Sequence, residues 1–161
     1  MTHLKSGDAI PTFSLTCDDG EVITHDTLSG RPAVIYFYPE DDSGGCVDEN
    51  VEFSALLTEF ENRGATLIGI SPDDVASHNK FRAKYGLLPR LGADPERAMI
   101  EAFGLWQLKK LYGREFMGLV RTSFIIDAEG KIARIIRATR IKGHAAKVLA
   151  ALDDVLASDR P

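Results

Sequence analysis

Cys46 follows Phe37-Tyr38-Pro39-Glu40-Asp41-Asp42-Ser43-Gly44-Gly45, where an apolar, strand-like run breaks into a loop and hands over to a helix. Unpaired amides at a helix start, with the positive end of the helix dipole, favour a thiolate over a thiol. A cysteine in that position is expected to be a nucleophile at neutral pH. Its polar setting, Gly44-Gly45 before it and Asp48-Glu49-Asn50 shortly after, contrasts with the buried, inert cysteine that packs like a small hydrophobe. The expectation is therefore a partly exposed, reactive sulfur.

A thiolate needs a fixed cation, and arginine suits the task because its guanidinium stays charged and donates in a planar fork. Arg121 is the candidate. It lies in Met117-Gly118-Leu119-Val120-Arg121-Thr122-Ser123, just before an apolar strand where a lone charge is otherwise hard to place. A solvated strand-end arginine is the alternative on spacing alone. Ser43, three residues before Cys46, either turns its hydroxyl toward the same pocket or caps the helix, and the two roles are compatible. Glu49, one turn into the helix, either orients Arg121 through a charged hydrogen bond or sits exposed in a first turn where acids are favoured.

The elements that must position these groups follow from periodicity. Phe13 to Thr16 and Val22 to Thr24 read as a hairpin around Asp19-Gly20. Ala33 to Tyr38 is a continuous apolar and β-branched run, expected of a central strand covered on both faces and ended by Pro39. Phe53, Leu56, Leu57 and Phe60 recur at helical spacing, with Gly64 as the stop. Ala65 to Ile70 gives a second buried strand. Ser71-Pro72-Asp73-Asp74 starts a helix with Val75, His78, Phe81 and Tyr85 on one face. Asp94-Pro95-Glu96 reads as an N-cap with proline, leading into a short helix over Arg97 to Phe103. Ser123 to Asp127 and Lys131 to Ile136 form a hairpin, and a last helix from about His144 to Leu156 carries Val148, Leu152 and Val155. The expected fold class is α/β: a mixed central sheet flanked by helices, parallel in the middle and antiparallel at its edges, with an N-terminal β-hairpin. Ligands in such folds gather beyond the carboxyl ends of the parallel strands, where Cys46 falls.

Composition narrows the function classes. The 161 residues fit a single domain spanning 1–161. A net charge of −5, with no basic face, argues against a nucleic-acid partner. The start lacks an apolar leader, and no segment approaches the ~20 apolar residues that span a bilayer, so no membrane partner and a cytoplasmic location are expected. The two cysteines, Cys17 and Cys46, form no C-x-x-C pair. The four histidines, His3, His25, His78 and His144, stand singly and read as solvated or core-edge residues. Neither a metal nor another cofactor is expected.

The active-site pattern of proline, three residues, threonine or serine, two residues, cysteine falls on Pro39, Ser43 and Cys46. With Gly69-Ile70-Ser71-Pro72-Asp73, Ser77-His78-Asn79-Lys80-Phe81, Leu91-Gly92-Ala93-Asp94 and Met117 to Asp127, it makes most of the chain resemble the peroxiredoxins, specifically the peroxiredoxin Q or bacterioferritin comigratory protein group. The resemblance implies a thioredoxin-like fold and a thiol peroxidase that reduces hydrogen peroxide and organic hydroperoxides. By the same resemblance Cys46 is the peroxidatic nucleophile and becomes a sulfenic acid. Arg121, Ser43 and the amides near Gly45 and Cys46 hold the peroxide, Pro39 shapes the loop and shields the thiolate, and Tyr38 walls the pocket.

Two departures matter. Relatives carry a resolving cysteine either five residues after the first, here Val51, or in the next helix around Arg82. The chain thus resembles a one-cysteine member, recycled through a mixed disulfide with thioredoxin, glutaredoxin or a small thiol. Cys17, on the N-terminal hairpin, is the one internal alternative as a resolver, against a passive thiol in a turn. Gly44 and Val47 stand where proline and threonine are common. From another class, a redox-sensing interaction protein that uses Cys46 oxidation as a switch fits the missing resolver. Relatives suggest a monomer or homodimer.

Overall fold

Cys17 and Gly20 bracket the tight turn of the N-terminal hairpin, β1 (Ser14–Cys17) and β2 (Val22–Thr24), in the computed structural model, which describes residues 2–158. Gly20 takes φ 86°, a left-handed conformation that glycine adopts without steric cost. β3 (Ala33–Phe37) follows, buried at every residue because both of its faces are covered. The Pro39–Ser43 loop leads into α1 (Gly44–Asn62), and Gly64 beyond its end also takes a positive φ. Then come β4 (Thr66–Ser71) and α2 (Val75–Tyr85). The latter is capped by the Asp74 carboxylate, which accepts from the Ser77 amide at 2.8 Å, and closed by Gly86 in the left-handed region. The rest of the chain forms β5 (Arg90–Ala93), α3 (Ala98–Ala102), β6 (Trp106–Leu111), β7 (Arg114–Leu119), β8 (Thr122–Ile126), β9 (Ile132–Arg137) and α4 (His144–Ser158).

The main sheet runs β2-β1-β5-β4-β3-β8-β9, with β3, β4 and β5 parallel and the outer strands antiparallel, as the sequence pattern predicts. Alternation along β3 divides the interior in two. Ile35 and Phe37 point into a core with Cys17, Phe13, Ile68, Phe103 and Phe124. Val34, Tyr36 and Tyr38 point into the other, where α1, α2 and α4 contribute Phe53, Phe60, Phe81, Val148 and Leu152.

Four elements differ from expectation. β5 escapes a pattern reading because four residues that include Gly92 give too short an apolar signal. β6 and β7 form a separate two-stranded ribbon whose Leu108, Leu111, Tyr112, Phe116 and Met117 are exposed, so neither face shows the alternation of a half-buried strand. The short helix starts at Ala98 rather than Arg97. Asp94-Pro95-Glu96 forms a turn instead, Arg97 takes φ 61°, and the Asp94 carboxylate reaches in to accept from the Ile100 amide at 2.8 Å.

Candidate active site

β3 ends and α1 begins within seven residues, which sets Cys46 in the first turn of the helix, beyond the carboxyl end of a central strand. The first helical backbone bond runs from Val47 to the Ser43 carbonyl at 2.8 Å, so the amides of Gly44, Gly45 and Cys46 have no intrahelical acceptor. Gly45 has a steric reason to be glycine. A Cβ there would stand 2.6 Å from Ile141 Cδ1 and 3.4 Å from Arg121 Nη2, so only a bare backbone lets both approach the turn.

Arg121 follows β7 and precedes β8, and its side chain is 17% exposed. Its Nη1 donates to Cys46 Sγ at 3.3 Å and to Glu49 Oε1 at 2.6 Å. One guanidinium nitrogen thus bridges the sulfur and the carboxylate. Burial pushes the Glu49 carboxyl up to about 7, against the pull of the Arg121 charge and hydrogen bond. Its second oxygen, Oε2, is buried with no hydrogen-bond partner. Burial also lowers Lys109, as do the charges of Arg121 and Arg137, while Cys46 acts in the opposite sense. Arg121 is the cation in direct contact with the sulfur.

A second layer holds the turn from beneath. Tyr36 stacks on Phe53, with ring centroids 4.1 Å apart, and its hydroxyl donates to Asn50 Oδ1 at 2.8 Å. Asn50 Nδ2 in turn donates to the Cys46 carbonyl at 2.9 Å. Gly69, opposite Tyr36 on β4, leaves room for that ring, since a Cβ there would lie 2.5 Å from it. Ser123 and His144 share a buried hydrogen bond of 2.8 Å, and burial lowers His144 to about 4, which leaves it neutral.

The structure brings Cys46, Arg121, Glu49 and Gly45 together and corrects several other expectations. Cys46 is fully buried rather than partly exposed, because Ile141, Arg121 and the aromatic core close over the first turn. Of the two readings of Glu49, the structure bears out the one that orients Arg121: it is 1% exposed and accepts from the guanidinium rather than sitting on the surface. The Ser43 hydroxyl donates to the Glu40 carbonyl at 3.1 Å, so it neither caps α1 nor meets the sulfur. Tyr38 is buried and donates to Asp41 Oδ1 at 2.7 Å, and Pro39 is half-buried at the mouth of the loop. Cys17 lies in the opposite core from Cys46, on a strand separated from β3 by β5 and β4. Three strand spacings, ~14 Å, exceed the reach of a disulfide. Burial drives the Cys17 thiol up to about 12.

Sequence reasoning missed Asn50, Tyr36 and Asp41 as partners and took His78 and His144 for solvated or core-edge residues. Both histidines are buried and hydrogen-bonded. A signal was available in the two tyrosines of an apolar strand, whose buried hydroxyls must find acceptors.

A family model described as AhpC/TSA family matches residues 6–135. Peroxiredoxin Bcp of Bacillus subtilis (strain 168) is 37% identical over 152 residues, covering 94% of this chain and 97% of the relative. The chain belongs to the peroxiredoxins. Among solved structures, a cysteine-to-serine mutant of Xylella fastidiosa PrxQ aligns with a TM-score of 0.89 at 31% identity, over 96% of this chain and 98% of that one. Xanthomonas campestris bacterioferritin comigratory protein, studied for alkyl peroxide reduction, aligns with a TM-score of 0.84 at 36% identity, over 91% and 98%. This peroxiredoxin thus has the thioredoxin-like fold its sequence resembles, and it is a thiol-dependent peroxidase. Membership favours turnover over the redox-sensing alternative. Among the described residues no helix is long and apolar enough to cross a membrane, and no cluster of three potential metal ligands occurs.

Proposed function

We propose that Cys46 is the peroxidatic nucleophile, reducing hydrogen peroxide and organic hydroperoxides in a cytoplasm, where thiols are kept reduced. The observation that carries the reading is the 3.3 Å hydrogen bond from Arg121 to the sulfur, donated by a guanidinium that Glu49 holds in place. Alkyl peroxide reduction by the Xanthomonas campestris relative supports the organic substrates.

In this mechanism the Cys46 thiolate attacks one peroxide oxygen. A sulfur lone pair makes the S–O bond as the O–O bond breaks, and the other oxygen leaves as hydroxide or alkoxide. That oxygen takes a proton to become water or alcohol, while Cys46 keeps the first oxygen as a sulfenic acid. Arg121 and the unpaired amides of Gly45 and Cys46 donate to oxygens where negative charge grows. Pro39 and Ser43 shape the loop, Ser43 through its bond to Glu40. Thioredoxin, glutaredoxin or a small thiol then attacks the sulfenic sulfur, releasing water and forming a mixed disulfide. A second thiol of the reductant displaces Cys46 and leaves as the disulfide.

Rapid mixing of the reduced protein with hydrogen peroxide tests this reading. Cys46 is expected to react far faster than free cysteine, and one equivalent of peroxide is expected to add one oxygen at Cys46 by mass spectrometry. A rate no better than that of free cysteine, or unchanged turnover in Cys46→Ser, overturns it.

A further inference from the structure

A fully buried Cys46 poses a problem for a one-cysteine enzyme. Hydrogen peroxide is small, but the thiol that reduces the sulfenic acid must bring its own sulfur into contact with a side chain that is 0% exposed. The first turn of α1 therefore has to open between the two half-reactions, and whatever ties down the preceding loop governs that opening.

The tie is Asp41, a buried carboxylate in the loop between β3 and α1. Its Oδ1 accepts from the Tyr38 hydroxyl at 2.7 Å, and its Oδ2 accepts from Ser77 Oγ at 2.8 Å and faces His78 Nδ1 at 2.8 Å. Its own amide donates to Asp73 Oδ2 at 2.7 Å. His78, 0% exposed on α2, meets the Gly92 carbonyl at 3.0 Å through Nε2. A carbonyl only accepts, so Nε2 must donate, and Nδ1 facing an ionised carboxylate must donate as well. The pair is then an imidazolium against a carboxylate. Burial alone disfavours that charged ring, but the hydrogen bond and charge of Asp41 outweigh it and raise His78 above its ordinary value. The next residue, Asp42, pairs with Lys84 Nζ at 2.8 Å, so α2 grips the loop at two places, one buried and one exposed.

We propose that Asp41 and His78 are a positioning couple that latches the Cys46 loop to α2. The couple holds the first turn of α1 closed for peroxide reduction and must release before a reductant reaches the oxidised sulfur. The proposal rests on Cys46 being the peroxidatic residue, but the latch itself is a statement about access.

Three rates separate the possibilities in wild type, Asp41→Asn and His78→Gln: reaction of reduced Cys46 with hydrogen peroxide, reduction of the sulfenic acid by dithiothreitol, and alkylation of reduced Cys46 by iodoacetamide. Each variant is expected to lose about tenfold in the first rate and to gain about tenfold in the other two, because a buried charged pair is broken while the sulfur and Arg121 remain. Ser77→Ala, which keeps the ion pair and the fold, is expected to shift all three in the same senses by roughly two- to threefold. Cys17→Ser, in the core on the other face of the sheet, is expected to lower the melting temperature while leaving the three rates near wild type. Three rates that fall together, unchanged alkylation in both latch variants, or the same opposed pattern in Cys17→Ser would each overturn the latch. Slow reaction of the wild type with peroxide counts against the peroxidatic reading alone, since alkylation reports the latch independently.

Discussion

The two cysteines of this chain are equally inaccessible, both 0% exposed, yet they occupy opposite faces of one sheet and different chemical worlds. Cys17 ends β1, which pairs with β2 and β5, in an apolar core where burial lifts its thiol to about 12. Cys46 sits at a helix start with three unpaired amides and an arginine nitrogen 3.3 Å away. Exposure does not separate the two sulfurs. The partners around them do: only Cys46 has donors in place of the water that burial has removed.

The largest expected effect sets the two sulfurs against each other. Cys46→Ser should cut peroxide turnover by roughly a thousandfold or more, as removal of a nucleophile does. Cys17→Ser should leave turnover within about twofold and lower the melting temperature, because a hydroxyl then sits in an apolar core. Coupled peroxidase assays and thermal melts check both, and comparable loss in the two variants would erase the distinction. Next comes Arg121→Gln, expected to slow the peroxide step by about 100- to 1,000-fold, the usual cost of losing a donor to developing oxyanion charge. Stopped-flow rates read it.

Smaller effects test the polar support that only the Cys46 face possesses. Tyr36→Phe leaves Asn50 Oδ1 without its donor in a buried site, and should cost about 1–3 kcal/mol in denaturant unfolding. The pH dependence of stability should carry two opposite signatures. Glu49 titrates higher in the folded state than its ordinary 4.5, at about 7, so its contribution is full below 4.5 and lost as pH rises through 7. Glu49→Gln should flatten that decline. His144 titrates lower than its ordinary 6.5, at about 4, so its contribution is present above 6.5 and lost as pH falls toward 4. His144→Gln should remove that acid limb, as melting temperatures across pH 4 to 8 will show.

Much of the fold was legible because periodicity reports local burial. The run from Ala33 to Tyr38 is apolar at both parities, so it had to be a covered strand, and the Phe53 to Phe60 spacing had to be a helix. The ribbon of β6 and β7 was not legible, since its exposed Leu108, Leu111 and Phe116 obey neither period. Cys46 and Arg121 could each be singled out by residue type and local position. Their meeting was expected from residue type and resemblance, but spacing alone left a solvated arginine as an equal reading, because 75 residues separate the two and sheet order is what brings β3 beside β8.

What the sequence by itself determined is the chemistry on offer: a thiol at a strand-to-helix junction, a permanent cation elsewhere, only one other cysteine, Cys17, and strand and helix periods that specify a mixed sheet. Only the tertiary structure decided that Cys46 is sealed, that Glu49 is buried against Arg121, and that Asp41 is latched to His78. Burial and ion pairing between segments 37 to 75 residues apart depend on how the layers pack, and local periodicity carries no information about a partner that far along the chain.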